Sequence, residues 1–168
     1  MTIFMYQASI PVFVRALNNL IDILGKAAAH AEARKIDPAV LLSSRLYPDM
    51  FPLSRQVQIV SDTAKGGAAR LAGMEPPKYE DSEKSFPELI ERLRKTIAYL
   101  NTLKPEQIDG SENRTVTLKV RDETLTLEGL TFLLNRVLPN LYFHISTAYG
   151  ILRHCGVEIG KKDYLGKF

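Results

Sequence analysis

Asn140-Leu-Tyr-Phe-His144-Ile-Ser-Thr-Ala-Tyr149-Gly-Ile-Leu-Arg-His154-Cys155-Gly156 decides the fold. Extended back to Glu128, this stretch carries Leu130, Leu134, Val137, Leu141, Ile145, Ala148, Leu152 and Cys155 at three- and four-residue steps, the apolar stripe of a long helix. Gly156 is a left-handed cap, and Arg153 and His154 place positive charge at the negative end of the helix dipole. Pro139 interrupts the stripe; a proline inside a helix removes one backbone hydrogen bond and clashes with the preceding turn, so a bend is expected just before Asn140.

Three more helices lie upstream. Ile10, Phe13, Val14, Leu17, Leu20, Ile21, Leu24, Ala28 and Ala31 line one face of a first helix that Asp37-Pro38 ends. Ser9 either caps this helix, with Pro11 in its first turn, or Pro11 sits inside a helix that began earlier. A connector from Pro38 to Pro52 is apolar enough to pack over an end of the helices. Leu53, Val57, Val60, Ala64, Gly67 and Leu71 form the seam of a second helix, in which Gly66-Gly67 permits close backbone approach and which Gly73 and Pro76-Pro77 terminate. Ser85-x-x-Glu88 opens a third helix with Phe86, Leu89, Leu93, Ile97 and Leu100 inward. Between Arg114 and Leu127 the period changes to alternation, a β-hairpin turning over Arg121-Asp-Glu-Thr124 and laid against a helix, because two strands alone are marginal. The fold class is therefore all-α, a four-helix bundle with a small hairpin between the third and fourth helices, in a single domain spanning 1–168.

Composition narrows the function classes. Hydrophobic residues at 45% and charged ones at 24% exclude disorder and a disulfide scaffold. Cys155 is the one cysteine, so no internal disulfide forms and a reducing, cytoplasmic setting is expected. The start Met-Thr-Ile-Phe-Met-Tyr-Gln has no basic region, and no uninterrupted apolar run approaches the roughly 20 residues that span a bilayer, so no membrane partner is expected. The net charge of +3 is spread along the chain apart from Lys161, Lys162 and Lys167, without the basic stripe that nucleic acid requires.

Few residues can carry chemistry. On a helical wheel His144 falls about 55 degrees from the centre of its stripe, with Asn140 on the same side further out, and Gln56 borders the core of the second helix. Together with Tyr149 they are the candidates for a polar interhelical pocket holding a small-molecule ligand. His30 and His154 point to solvent. Cys155 lies in the stripe at a helix C-terminus, where the dipole raises a thiol pKa, and reads as core rather than nucleophile. Absence of His-x-x-x-His, Glu-x-x-His and Cys-x-x-Cys leaves no intact metal motif. Phe132, Phe143 and Gly150 fall opposite the core stripe, so the hairpin or a second copy of the chain should cover them; a homodimer is expected.

The chain resembles the DinB-like helical bundle superfamily, and within it an uncharacterised bacterial family of domains of unknown function. The resemblance spans the chain and rests on Arg45-Leu-Tyr-Pro-Asp-Met-Phe-Pro52, Leu138-Pro-Asn-Leu-Tyr-Phe-His144, Thr147-Ala-Tyr-Gly-Ile-Leu-Arg153 and Gly160-Lys-Lys-Asp-Tyr-Leu-Gly166. It implies an up-down-down-up bundle. In DinB-like proteins one histidine of the second helix and a His-x-x-x-His pair of the last commonly hold a divalent metal, and some members are thiol transferases or hydrolases. By that resemblance His144 matches the second histidine of the pair, Asn140 stands where the first would be, and Gln56 falls near the second-helix ligand. One imidazole and two amides make a poor zinc or nickel site. The expectation is a binding or interaction module with a degenerate metal site and no resident cofactor. The rival is a metal-dependent transferase or hydrolase in which Asp49 or Asp62 joins His144.

Overall fold

The apolar repeat of the first helix becomes α1 (Met5–Arg34), which begins upstream of Ser9. Ser9 is thus no cap: its hydroxyl donates back to the Met5 carbonyl at 2.6 Å. Pro11 stands inside the helix, and both it and Gln7, whose carbonyl it deprives of the usual helix donor, face solvent, so that carbonyl is open to water. Lys35, at φ 55°, ends the helix in the left-handed region. The computed structural model describes residues 3–120 and 122–167, so the readings that involve Met1, Thr2 and the turn residue Arg121 lie outside it.

Asp37 then caps a short helix, α2 (Pro38–Ser43), by accepting the Ala39 amide, and Leu41 and Leu42 anchor the connector in the core. The second predicted helix is α3 (Leu53–Leu71), with every seam residue buried. The third is α4 (Phe86–Leu100), where Ser85 accepts the Glu88 amide while the Glu88 carboxylate accepts the Lys84 amide, a capping box displaced by one residue on its return bond. One turn, α5 (Pro105–Ile108), precedes the hairpin.

The hairpin is β1 (Thr115–Val120) paired antiparallel with β2 (Glu123–Glu128), Val116 opposite Leu127 and Leu118 opposite Leu125. Pairing continues to Val120 and Glu123, so the loop is two residues rather than four. Val116, Leu118, Leu125 and Leu127 share the inward face.

The last helix departs from its expected form. It consists of α6 (Gly129–Phe132), a π turn (Leu133–Val137) and α7 (Leu138–His154). The Leu138 amide reaches back five residues to the Leu133 carbonyl, and Pro139 follows at the start of α7. A turn that holds one extra residue puts the faces on its two sides out of step by about 100 degrees. The stripe extrapolated back from Leu141 holds at Val137, which is buried, and fails before it: Leu130 and Leu134 are 42% and 49% exposed, whereas Phe132 and Leu133 are buried. Phe132 needs no second subunit to cover it. Phe143, beyond the π turn, is 57% exposed as its wheel position requires.

The basic tail holds a helix that periodicity did not reveal, α8 (Lys161–Leu165), which returns to α1 through Lys26–Asp163 and through Asn19 donating to the Tyr164 carbonyl. The long helices pack α7 on α3, α3 on α4 and α4 on α1, around a core centred on Phe13, Leu17, Leu24, Val57, Val60, Leu89 and Leu93. Among the described helices α1 alone is long and apolar enough to cross a membrane, since an 18-residue average tolerates Arg15, Asn18 and Asn19 where a count of uninterrupted apolar residues does not. Its apolar residues Phe13, Leu17, Leu20 and Leu24 are fully enclosed by the other helices.

Candidate functional site

His144 projects from the middle of α7 toward α3, and its Nδ1 lies 2.6 Å from Gln56 Oε1. The Gln56 amide nitrogen donates to the Phe51 carbonyl at 3.0 Å, which turns the amide oxygen toward the imidazole. Nδ1 therefore carries the proton and donates, leaving the Nε2 lone pair as the open valence. Desolvation, reinforced by the nearby positive charge of Arg55, holds the His144 pKa below its ordinary value and keeps the ring neutral. The Phe143 ring stands edge-on to the imidazole at 5.1 Å. Two of the four predicted pocket residues thus meet, one directly bonded to the other.

The remaining two are elsewhere. Asn140 is exposed and donates to Thr63 Oγ1 at 2.8 Å, two turns along α3 from Gln56. Tyr149 packs edge-on against Tyr164 at 6.0 Å, beside α8. Asn140 and Tyr149 thus have their bonded and ring partners away from the His144–Gln56 contact. Asn140 borders a cavity of about 180 Å³ with Thr63, Arg70 and Arg136, and a larger groove of about 320 Å³ runs between α1, α7 and α8, lined by Arg15, Tyr142, Ile145 and Tyr164. His154 is exposed as expected, His30 is half-buried, and Cys155 is half-buried against the core with a free thiol.

The donor set does not fit the metal that the DinB resemblance implies. Gln56 Oε1 is turned to an imidazole N–H, the geometry of a residue that orients a histidine rather than one that shares a metal with it. Asn140 is committed to Thr63. Among the described residues no three His, Cys, Asp or Glu side chains converge, so neither Asp49 nor Asp62 completes a set with His144. Asp62 is held instead by Lys65 at 2.9 Å and Arg92 at 2.8 Å.

Arg92 is the polar centre that sequence reasoning missed. Its side chain is 2% exposed and bonds Asp62, Asp81 and Glu83, all within 2.9 Å, as well as the Glu80 carbonyl. Burial alone would lower its pKa, but Glu83 and Asp62 outweigh that and raise it. The Tyr79 ring lies against Lys95 Nζ at 4.3 Å, Lys65 Nζ at 4.7 Å and the Arg92 guanidinium at 5.6 Å. This clasp fixes the irregular stretch 74–84 onto α3 and α4. The one available signal was the row of acids in Glu80-Asp81-Ser-Glu83, which looks like a solvated loop until a buried arginine faces it.

A crystal structure of a DinB family member protein from Shewanella denitrificans is similar to the chain, with a TM-score of 0.87 and 45% identity over 97% of this chain and 92% of that one. No curated protein matches. The model of a domain of unknown function, DUF1993, matches residues 5–165. With a sequence model that fits from the start of α1 to the end of α8 and this likeness to a DinB family member, the chain belongs to the DUF1993 family of DinB-like domains.

Proposed function

We propose that this domain is a binding or interaction module on an up-down-down-up DinB-type four-helix bundle, cytoplasmic and homodimeric, in which the His144 centre is the remnant of a metal site. One observation carries the reading: neither amide standing where an imidazole would be needed is offered to a metal beside His144, since the Gln56 oxygen is taken up by His144 and Asn140 is drawn to Thr63, two turns along α3. A single free Nε2 does not hold a divalent cation against water, since protein sites for such cations use three or four ligands.

The same geometry supports the interaction half of the reading. The connector runs along the outside of α7, with Leu46 lying 3.6 Å from the position a side chain at Gly150 would take and Phe51 tied to Gln56 beside His144. Leu46, Tyr47, Phe51 and Phe143 are 45%, 64%, 55% and 57% exposed, a concentration of apolar area that self-association would cover. Among the described residues no group of three His, Cys, Asp or Glu side chains supports the rival transferase or hydrolase reading. Metal content of protein purified without chelator, with sedimentation equilibrium on the same sample, tests both halves. The expected result is no stoichiometric metal and twice the chain mass, lowered to one chain mass in Phe143→Glu. Stoichiometric metal that disappears in His144→Ala would overturn the degenerate-site reading, and a wild-type monomer would overturn the dimer.

A further inference from the structure

The cavity beside Asn140 is bounded by α3, the hairpin and the π turn, and its walls are unlike those of the His144 centre. Arg70 and Arg136 both line it, with Thr63 and Asn140 adding uncharged hydrogen-bonding groups and Asp62 as its one acid. Asp62 is already paired with Lys65 at 2.9 Å and with Arg92 at 2.8 Å, the latter shared with Asp81 and Glu83. Arg70 and Arg136 are therefore the cationic groups that the cavity itself offers to an anion.

Neither arginine is used up by the fold. Arg70 spends one N–H on the Gly66 carbonyl at 3.0 Å, and Arg136 has no hydrogen-bond or ion-pair partner among the described residues. Guanidinium groups carry five donors in a planar fork that matches the oxygens of a phosphate. Gly67 sets how close the π turn lies to α3: a Cβ there would meet Val137 Cγ1 at 2.6 Å and displace the end of the turn that carries Arg136, while the Arg70 guanidinium folds back over Gly66, 2.8 Å from where a Cβ would stand. Such π turns recur at functional sites because they re-aim a side chain without ending the helix.

We propose that this cavity binds a tetrahedral oxyanion, namely phosphate, either free or as the terminal group of a small phosphomonoester. The cavity, of about 180 Å³ and open to solvent, has room for one phosphate group, with the rest of a larger phosphomonoester left outside. Arg70 from α3 and Arg136 from the π turn clamp the anion from two sides, and Thr63 and Asn140 meet its remaining oxygens. Bound anion ties the π turn to α3. The site touches the remnant metal centre only through Asn140, and phosphate binding is read separately from metal content and chain mass.

Isothermal titration at fixed ionic strength, with chloride as the balancing anion, tests the proposal using inorganic phosphate and phenyl phosphate as probes. Saturable binding of at least one probe in the millimolar range or tighter is expected, weakened about tenfold or more in Arg136→Gln and in Arg70→Gln and unchanged in Lys161→Gln. Tighter binding of inorganic phosphate identifies the free ion as occupant, and tighter binding of phenyl phosphate identifies a phosphomonoester. Far-ultraviolet circular dichroism selects the folded variant if only one of the two arginine substitutions is tolerated. Absence of saturable binding of either probe by the wild-type protein overturns the proposal, as does unchanged affinity in a folded arginine variant.

Discussion

Gly67→Ala is the sharpest test of how α3 and the π turn fit together. In a helix interior alanine is favoured over glycine by about 1 kcal/mol, and Gly67 has an ordinary negative φ, so propensity alone predicts a more stable protein. Packing predicts the reverse. The new methyl would lie 2.6 Å from Val137 Cγ1 and 3.2 Å from Cγ2, against the roughly 3.5–4.0 Å at which carbons rest, so about 1 Å of movement is required. Val137 is 3% exposed, and a β-branched side chain has one strongly preferred rotamer in a helix, so it cannot swing aside. Overpacking of this kind costs about 1–3 kcal/mol, and a clash with an immobile partner belongs at the upper end, leaving a net loss of about 1–2 kcal/mol. For a chain of this size that is a fall in Tm of about 3–6 °C. Val137→Ala alone should cost about 2 kcal/mol through two lost methyls and the cavity they leave. The double variant should lose at least about 1 kcal/mol less than the sum, because the new methyl occupies the vacated space. Urea unfolding followed by circular dichroism, at constant m-value, measures all four corners of this cycle. A Gly67→Ala protein more stable than wild type, or an additive cycle, would refute the contact.

Three further outcomes are expected. Arg92→Met keeps the volume but leaves Asp62, Asp81 and Glu83 facing one another; removal of one partner from a buried ionic cluster costs about 3–5 kcal/mol, and because Asp62 and Asp81 are each 38% exposed the lower figure applies, seen in urea unfolding and in faster tryptic cleavage at Lys78 and Lys84. His144 has a folded pKa below the unfolded value of about 6.5, so the unfolded chain takes up the proton first; its stabilising contribution is complete above that value and is lost as pH falls through the folded pKa. Tm measured from pH 7.5 to 5 should therefore fall more steeply for wild type than for His144→Gln, and parallel curves would remove the desolvated, neutral imidazole from the account. Placing imidazoles at both amide positions, Gln56→His/Asn140→His, should create a Tm rise on adding equimolar zinc that the wild type lacks, and the same rise in the wild type would overturn the proposed loss of the metal site.

What the sequence disclosed divides along the reach of local rules. The seams of α1, α3 and α4 are set by residues three and four apart, and they lie where periodicity puts them. The His144–Gln56 contact was legible because each residue borders its own apolar stripe, and two such borders meet when the helices pack. Asn140 was assigned to the same pocket from its place on the helical wheel, but one turn of α7 carries it along α3 to Thr63 instead. The Arg92 clasp could not be read at all: Arg92 looks like any surface arginine of an amphipathic helix until the stretch bearing Asp81 and Glu83 folds over it, and that is a long-range event with no local period. Helix α8 was hidden for a similar reason, since none of its residues is buried and it is held by single bonds to α1.

Pro139 shows where a local rule failed while its premise held. The sequence marks the proline as a disruption costing about 3 kcal/mol in an unbroken α-helix, and a bend is the usual remedy. The chain takes a different one: the turn before the proline widens, Leu138 bonds five residues back, and the carbonyls that the ring would crowd move away from it. A bend would have kept Leu130 and Leu134 on the core side. A widened turn rotates them out, brings Phe132 and Leu133 in, and sets Val137 into the gap opposite Gly67. The glycine on α3 and the proline on the last helix are therefore parts of one adjustment, although 72 positions separate them in the sequence. Neither residue alone specifies it, because Gly67 in isolation reads as tolerance for any close helix and Pro139 as a break. Only the pair explains why Arg136 reaches the cavity over α3 at all.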